Sequence, residues 1–300
     1  MARWVGLDAV VTRLRKFVEP ELRKYGGVPD QRLRQVVEAL VDRCYPSDVR
    51  SDRTQYSAAT NVMTMLVLSG AQPPTWLCRP SASAVVVETD VRSIPIEPPK
   101  MLRRAGIIEA RRPETGERLW GDISSLGWYS IDETYWLIGL MYPDGHAIVK
   151  WRPRWTGEDL DAQLPALDPT ALVDPGDRST YYDFGLQAAS YLLTLGLLAE
   201  VPDGPLRIEL DKRETRERRR RIIDVFFDDD RGKKKRPDAP PAPLLDGPVA
   251  QNRSIRGHLK RVWVGPGRSK PEWRYVHLYR ARRWLSPRWL VSAIGTGEIA

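Results

Sequence analysis

The first seventy residues carry apolar positions at a helical period. Leu7, Val10, Val11, Leu14, Val18 and Leu22 recur every three or four residues, which puts them on one face of an α-helix. Gly26 and Gly27 stop that run, and Pro20 inside it, which has no amide hydrogen, is expected to end or kink the helix. A second stripe, Leu33, Val36, Val37, Leu40, Val41 and Cys44, has Asp30 as its expected N-cap and Pro46 beyond its end. A third helix is expected over residues 57–68, closed by Gly70. Residues 1–72 therefore predict a small helical bundle whose stripes form core.

Past Pro73 the pattern changes. The valine-rich run SASAVVVETD (81–90) predicts a strand, and RSIPIEPPK (92–100), with three prolines, an edge or loop. In TYWLIGLMYPDGHAIVKW (134–151) two apolar runs flank Tyr-Pro-Asp-Gly. Proline sets one φ and Gly145 is free to adopt a positive one, so this is a hairpin. Strands near 119–123 and 128–131 are expected to pair with it in an antiparallel sheet. Trp120, Trp128 and Trp136 fall in this region, either lining a peptide-binding groove or packing as ordinary core. Residues 152–180, rich in Pro, Asp and Gly, predict a long loop. The helix from Tyr181 to about Ala199 is apolar nearly all round and so buried on most sides.

The last third is charged. DKRETRERRRR (211–221) reads as a solvated run, and 231–250, rich in Lys, Pro and Asp, as a linker. Beyond it alternation returns. Leu259, Arg261 and Trp263 alternate with His258, Lys260, Val262 and Val264, and Gly265-Pro-Gly267 begins a turn. On the return, Trp273, Tyr275, His277 and Tyr279 share one face, and Arg274, Val276, Leu278 and Arg280 the other. Val262, Val264, Val276 and Leu278 are expected to pack onto the body, adding strands to the central sheet. The predicted fold is α+β: helical residues 1–72, an α+β central domain (73–230) with an antiparallel sheet and a buried helix, the linker (231–250), and a basic aromatic C-terminal hairpin (251–300) packing back on the body.

Charge sharpens this division. The 300 residues carry a net +8, yet residues 251–300 alone hold eleven Lys or Arg against two Glu, leaving −1 for the first 250. A near-neutral body with a strongly positive tail suits an acidic partner: nucleic acid, ribosome or an acidic protein face. Aromatic residues in a basic frame suit single-stranded nucleic acid, and equally a strand that covers a core with one face in water. No apolar run of about 18 residues predicts a membrane span. Cys44 and Cys78 stand alone and read as reduced thiols in a cytoplasm. The three histidines, His146, His258 and His277, lack ligand spacing, so no metal and no cofactor is predicted. No P-loop, GxSxG or HExxH occurs, and Asp228–Asp230 read as a solvated turn, so no catalytic residue is assigned and the chain is not expected to be an enzyme.

One resemblance adds to this reading. Ser254-Ile-Arg256-Gly257-His258, then Trp263, Gly265-x-Gly267 and Trp273-Arg274-Tyr275-Val-His277, is similar to the C-terminal signature of a type V-A anti-CRISPR family. The Leu-rich helix ending in Ala199-Glu-Val-Pro-Asp203 resembles the same family. Leu259 stands where the family carries an aromatic, and Pro74-Thr-Trp76-Leu-Cys78 echoes its Pro-x-Trp-Cys with one extra residue. Such proteins are carried by phages and other mobile genetic elements. The resemblance implies an inhibitor in the cytoplasm of a bacterial or archaeal host. It would recognise the nascent N-terminal polypeptide of a CRISPR effector nuclease, or of another protein, and lower expression beside the ribosome and its mRNA. The motif residues implied to meet the partner are Arg256, Gly257, His258, Trp263, Gly265, Gly267, Arg268, Trp273, Arg274, Tyr275 and His277.

Overall fold

The computed structural model describes residues 7–25, 27, 32–45, 47–89, 91, 93–103, 105–112, 115–120, 123–141, 145–159, 178–201, 204–210, 222–227, 251–255, 258–268, 270–276 and 279–283. They fall into two compact units, Met1–Val87 with Val91–Asp228, and Glu88–Asp90 with Asp229–Ala300. The class is α+β, as the pattern predicts. No described helix is long and apolar enough to cross a membrane.

The first unit opens with helices α1 (Leu7–Lys24), α2 (Leu33–Cys44), α3 (Ser47–Ser51) and α4 (Arg53–Leu68). The predicted stripes are the buried ones: Val11, Leu14, Val18 and Leu22 on α1, and Val36, Val37, Leu40 and Val41 on α2. Pro20 does not end α1. Val18 and Leu22 flank it and are both buried, so tertiary packing outweighs the one intrahelical hydrogen bond that proline forfeits. Asp30 lies outside the described residues, and Arg32 at the start of α2 makes no side-chain cap. α4 starts four residues earlier than its apolar stripe because Asp52 caps it, accepting from the Gln55 amide at 3.1 Å. At its end Gly70 sits at φ +65°, and the Ala71 amide donates to the Leu66 carbonyl at 2.7 Å, a Schellman closure.

The sheet has seven strands in the order β5-β4-β3-β2-β1-β7-β6. They are β1 (Thr75–Cys78), β2 (Gly106–Ala110), β3 (Ile123–Ile131), β4 (Thr134–Met141), β5 (Gly145–Trp151), β6 (Leu206–Leu210) and β7 (Ile222–Phe227). It is mixed, which corrects the expected antiparallel sheet: β1, at its centre side, pairs in parallel with both β2 and β7, and the other pairs are antiparallel. The cause is a second correction. The run 81–90 is not a strand, because Pro80–Glu88 form helix α5, which carries the chain across from β1 to β2. Parallel neighbours need such a crossover. Pro80 at the first helical position and buried Ala82, Ser83 and Val86 at helical spacing outweigh the β-preference of three valines. The described residues of that proline-rich run, 93–100, hold no strand beyond a bridge at Ser93. The strand expected at 119–123 also moves, since Leu119 and Trp120 form a turn and β3 begins at Ile123.

The hairpins meet expectation. β4 pairs with β5 from Tyr135↔Trp151 to Met141↔Gly145, and β3 pairs with β4 through Asp132 and Glu133, both at positive φ. Cross-strand partners share a face. Tyr129, Trp136 and Ile138 join the core built by α1, α2 and α4. Trp128 and its partner Leu137 lie on the opposite face, with Gly139, whose missing Cβ leaves room for Phe184 of α6 (Arg178–Glu200). α6 packs on β4, β5 and β6 and is buried along Ala188, Leu192, Leu193, Leu195 and Leu198, as its all-round apolar sequence predicts. Helices thus cover both faces of the sheet.

The second unit contains β8 (Gln251–Ile255), β9 (His258–Val264), β10 (Lys270–Val276) and β11 (Tyr279–Arg283). β9 pairs antiparallel with β10, and β8 with β11. None of the four belongs to the seven-stranded sheet, which corrects the expectation that the tail adds strands to it. A tight turn lets each arm satisfy the other's backbone groups locally, at far less loop entropy than pairing with a distant strand. The linker, 231–250, lies outside the described residues.

Candidate partner-binding hairpin

The β9–β10 hairpin forms because two alternating runs meet across a glycine-rich turn. Gly265 and Gly267 sit at φ +83° and +65°, values that side-chain-bearing residues adopt at a cost, and Pro266–Arg268 turn the chain between the arms, kinked at Gly267. Val264↔Lys270 and His258↔Val276 bound the ladder. Ile255↔Tyr279 continues it three residues further along each arm, so β8 and β11 keep the same register. Arg253, Arg280, Arg282 and Arg283 all occupy this second ladder.

The register sorts the hairpin's residues onto two faces. One carries Leu259, Trp263, Trp273 and Tyr275, the aromatic face expected from alternation. Leu259 is buried at 7% exposure, Trp273 and Tyr275 are half-buried, and Trp263 near the turn is 49% exposed. Burial raises the Tyr275 hydroxyl's pKa, opposed by a hydrogen bond with Thr89, a residue of the same compact unit. The other face carries His258, Lys260, Val262 and Val264 opposite Val276, Arg274, Glu272 and Lys270. Lys260 and Arg274 are direct cross-strand partners, both exposed, and Arg274 reaches Glu272 only at 3.8 Å. Val262, Val264 and Val276 are half-buried, so the aliphatic face is less covered than the expected packing face, and Leu259 on the aromatic side is the buried residue.

The motif residues are thus partly gathered. His258, Trp263, Gly265, Gly267, Arg268, Trp273, Arg274 and Tyr275 lie on this one hairpin and its turn. Arg256, Gly257, His277 and Leu278 lie outside the described residues, as do Asp228–Asp230.

Trp120, Trp128 and Trp136 do not share one face of the sheet. Trp128 and Trp136 occupy opposite faces of the sheet, and Trp120 meets Tyr191 of α6 edge-on at 5.3 Å. Trp128 is fully buried, its ring filling the space beside Gly106, and its indole N–H has no partner among the described residues. Trp136 stacks on Tyr129 at 6.1 Å, with the Lys150 ammonium 5.7 Å from its ring. Behind them, the Tyr129 hydroxyl donates to Asn61 Oδ1 at 2.5 Å, and Asn61 Nδ2 donates to the Ser57 carbonyl at 2.8 Å.

Burial raises the pKa of several groups of the body. Cys44 and Cys78 are free thiols, and burial pushes Cys78 up to about 12 and raises Cys44 as well, which disfavours the thiolate form. Tyr191, raised by burial, sits 3.2 Å from the Ser83 hydroxyl. Among the described residues no three His, Cys, Asp or Glu gather as a metal site. Sequence reasoning missed the clasp of Arg79, whose Nε donates to Asp224 Oδ1 at 3.0 Å while its guanidinium lies 5.4 Å from the Phe226 ring. The partners are 145 residues apart, and only the β1–β7 pairing signals them. No protein-family model matches this chain, and no curated protein is similar to it.

Proposed function

We propose that this protein is a non-enzymatic, anti-CRISPR-like inhibitor that binds a nascent polypeptide segment and acts through the translation machinery to lower expression of the effector. The site of action is the cytoplasm of a bacterial or archaeal host. One observation carries the reading: the motif residues His258, Trp263, Gly265, Gly267, Trp273, Arg274 and Tyr275 share a single hairpin that presents an exposed aromatic tip and a cationic face. An extended peptide gains affinity from large, rigid aromatic anchors, and Trp263 is such a surface. The body supports the hairpin's role by contrast, because Trp120, Trp128 and Trp151 are buried in its packing.

The test is recovery of stalled ribosome–nascent-chain complexes carrying effector N-terminal segments of increasing length, with a peptide array to find the bound stretch. Binding is expected once one segment has emerged, and Trp263→Ala should weaken it about tenfold or more, the loss typical of an interface anchor. Co-expression should lower the effector's protein level. Absence of any bound peptide together with unchanged effector level would overturn the proposal.

A further inference from the structure

The charged face of the β9–β10 hairpin carries an arrangement that folding alone does not favour. Lys260 faces Arg274 directly across the ladder, and like charges in that position repel. Lys270 lies four residues from Arg274 on the same face, about 13 Å along the strand, and His258 lies two residues from Lys260, about 7 Å away. Glu272, the one acid on this face, reaches Arg274 only at 3.8 Å. Lys260, Lys270 and Arg274 are all exposed.

We infer that this face is a track for the phosphates of a single-stranded RNA, with Lys260, Lys270 and Arg274 as its cations and Trp263 as a stacking surface at the tip. Cations spread over two paired strands, a Lys260–Arg274 pair and Lys270 further along, match a chain of repeated charges better than a lone carboxylate. Trp263 is on the other face, but beside the Gly265–Arg268 turn, where the two faces meet and a strand passing over the tip reaches both. A base offers a flat partner that stacks on that ring, so one nucleic-acid strand engages both the cations and the tip. The choice of RNA over DNA rests on the nascent-chain reading, which places the protein beside messenger RNA. The cation track itself does not depend on that reading.

The experiment is fluorescence anisotropy of the full chain with a labelled oligouridylate, in rising potassium chloride, without ribosomes or peptide. Binding should weaken steadily with salt. The double variant Lys260→Ala/Arg274→Ala should lose about tenfold in affinity and flatten the log–log salt slope by roughly 1.4, about 0.7 for each lost phosphate contact. Glu272→Gln should tighten binding, a gain that misfolding cannot mimic. Trp263→Ala should weaken binding several-fold at unchanged salt slope.

Unchanged affinity in the double variant would overturn the track. Tighter binding of oligothymidylate, or equal binding of duplex DNA, would overturn RNA as the ligand. Polyglutamate competing as well as RNA of equal charge would show an acidic-protein surface instead. Because no peptide is present, RNA binding can succeed while the nascent-chain reading fails, and the reverse.

Discussion

The body sheet and the C-terminal hairpin are both antiparallel over most of their length, and both are rich in tryptophan, yet they treat charge and aromatic surface in opposite ways. In the body, cations meet anions: Arg79 clasps Asp224, Arg34 meets Glu38 at 2.8 Å and Arg103 meets Glu97 at 2.9 Å. Its tryptophans Trp128 and Trp151 are buried inside the layers. In the hairpin a lysine faces an arginine, and Trp263 stands half out in solvent. Opposite charges that meet leave little for a partner, whereas like charges held together and exposed rings gain free energy when one arrives. The comparison teaches that the body closes its charges and rings on itself, whereas the hairpin leaves like charges and one ring exposed.

The sharpest way to break that comparison is at Gly106. A Cβ there would fall 2.3 Å from the Trp128 ring, against a layer with no room to give. Gly106→Ala should cost about 3 kcal/mol of stability by overpacking, read from guanidinium unfolding followed by tryptophan fluorescence. Pairing it with Trp128→Leu should recover part of the loss. A cost below about 1 kcal/mol would show that the body is loosely packed after all.

A middle-sized effect is expected at Tyr129. Tyr129→Phe removes the donor to Asn61 and leaves a buried amide oxygen short of a partner, so stability should fall by about 1–2 kcal/mol. The same measurement checks it, and a neutral result would mean that the bond adds nothing to the core.

The smallest effect has the opposite sign. Lys260→Glu replaces a like-charge cross-strand pair by an opposite one and should raise stability by roughly 0.2–0.5 kcal/mol, seen as a small rise in Tm that shrinks with added salt. Loss of stability instead would place Lys260 in a structural role and collapse the distinction between the two regions.

Much of the body is legible in the chain because its determinants are local. The Val11–Leu22 and Val36–Val41 stripes face the core as their spacing requires, and the two runs flanking Tyr-Pro-Asp-Gly pair as the expected antiparallel hairpin. The tail's alternation likewise separates Trp263, Trp273 and Tyr275 from Lys260 and Arg274, with a turn at Gly265 and Gly267. Asp132 and Glu133 at positive φ carry no such sign, because neither residue type demands that conformation and the two strands impose it. The candidate site is half legible: its faces follow from period two, but the burial of Leu259 and the exposure of Trp263 do not, since alternation says which side chains share a face and not what covers it.

What the sequence by itself determined, then, is which residues are helical or extended around each strong periodic signal, where glycine and proline turn the chain, and that the positive charge gathers at one end. Tertiary structure alone decided that three valines after Pro80 join a helix, that β1 lies between β2 and β7 in parallel, that Arg79 reaches Asp224, and that Trp128 and Trp136 part to opposite faces. The physical reason is range. Period and turn chemistry are set by neighbours within a few residues, whereas a short apolar run takes its conformation from the surface it must cover, and that surface is made by residues far away in the chain.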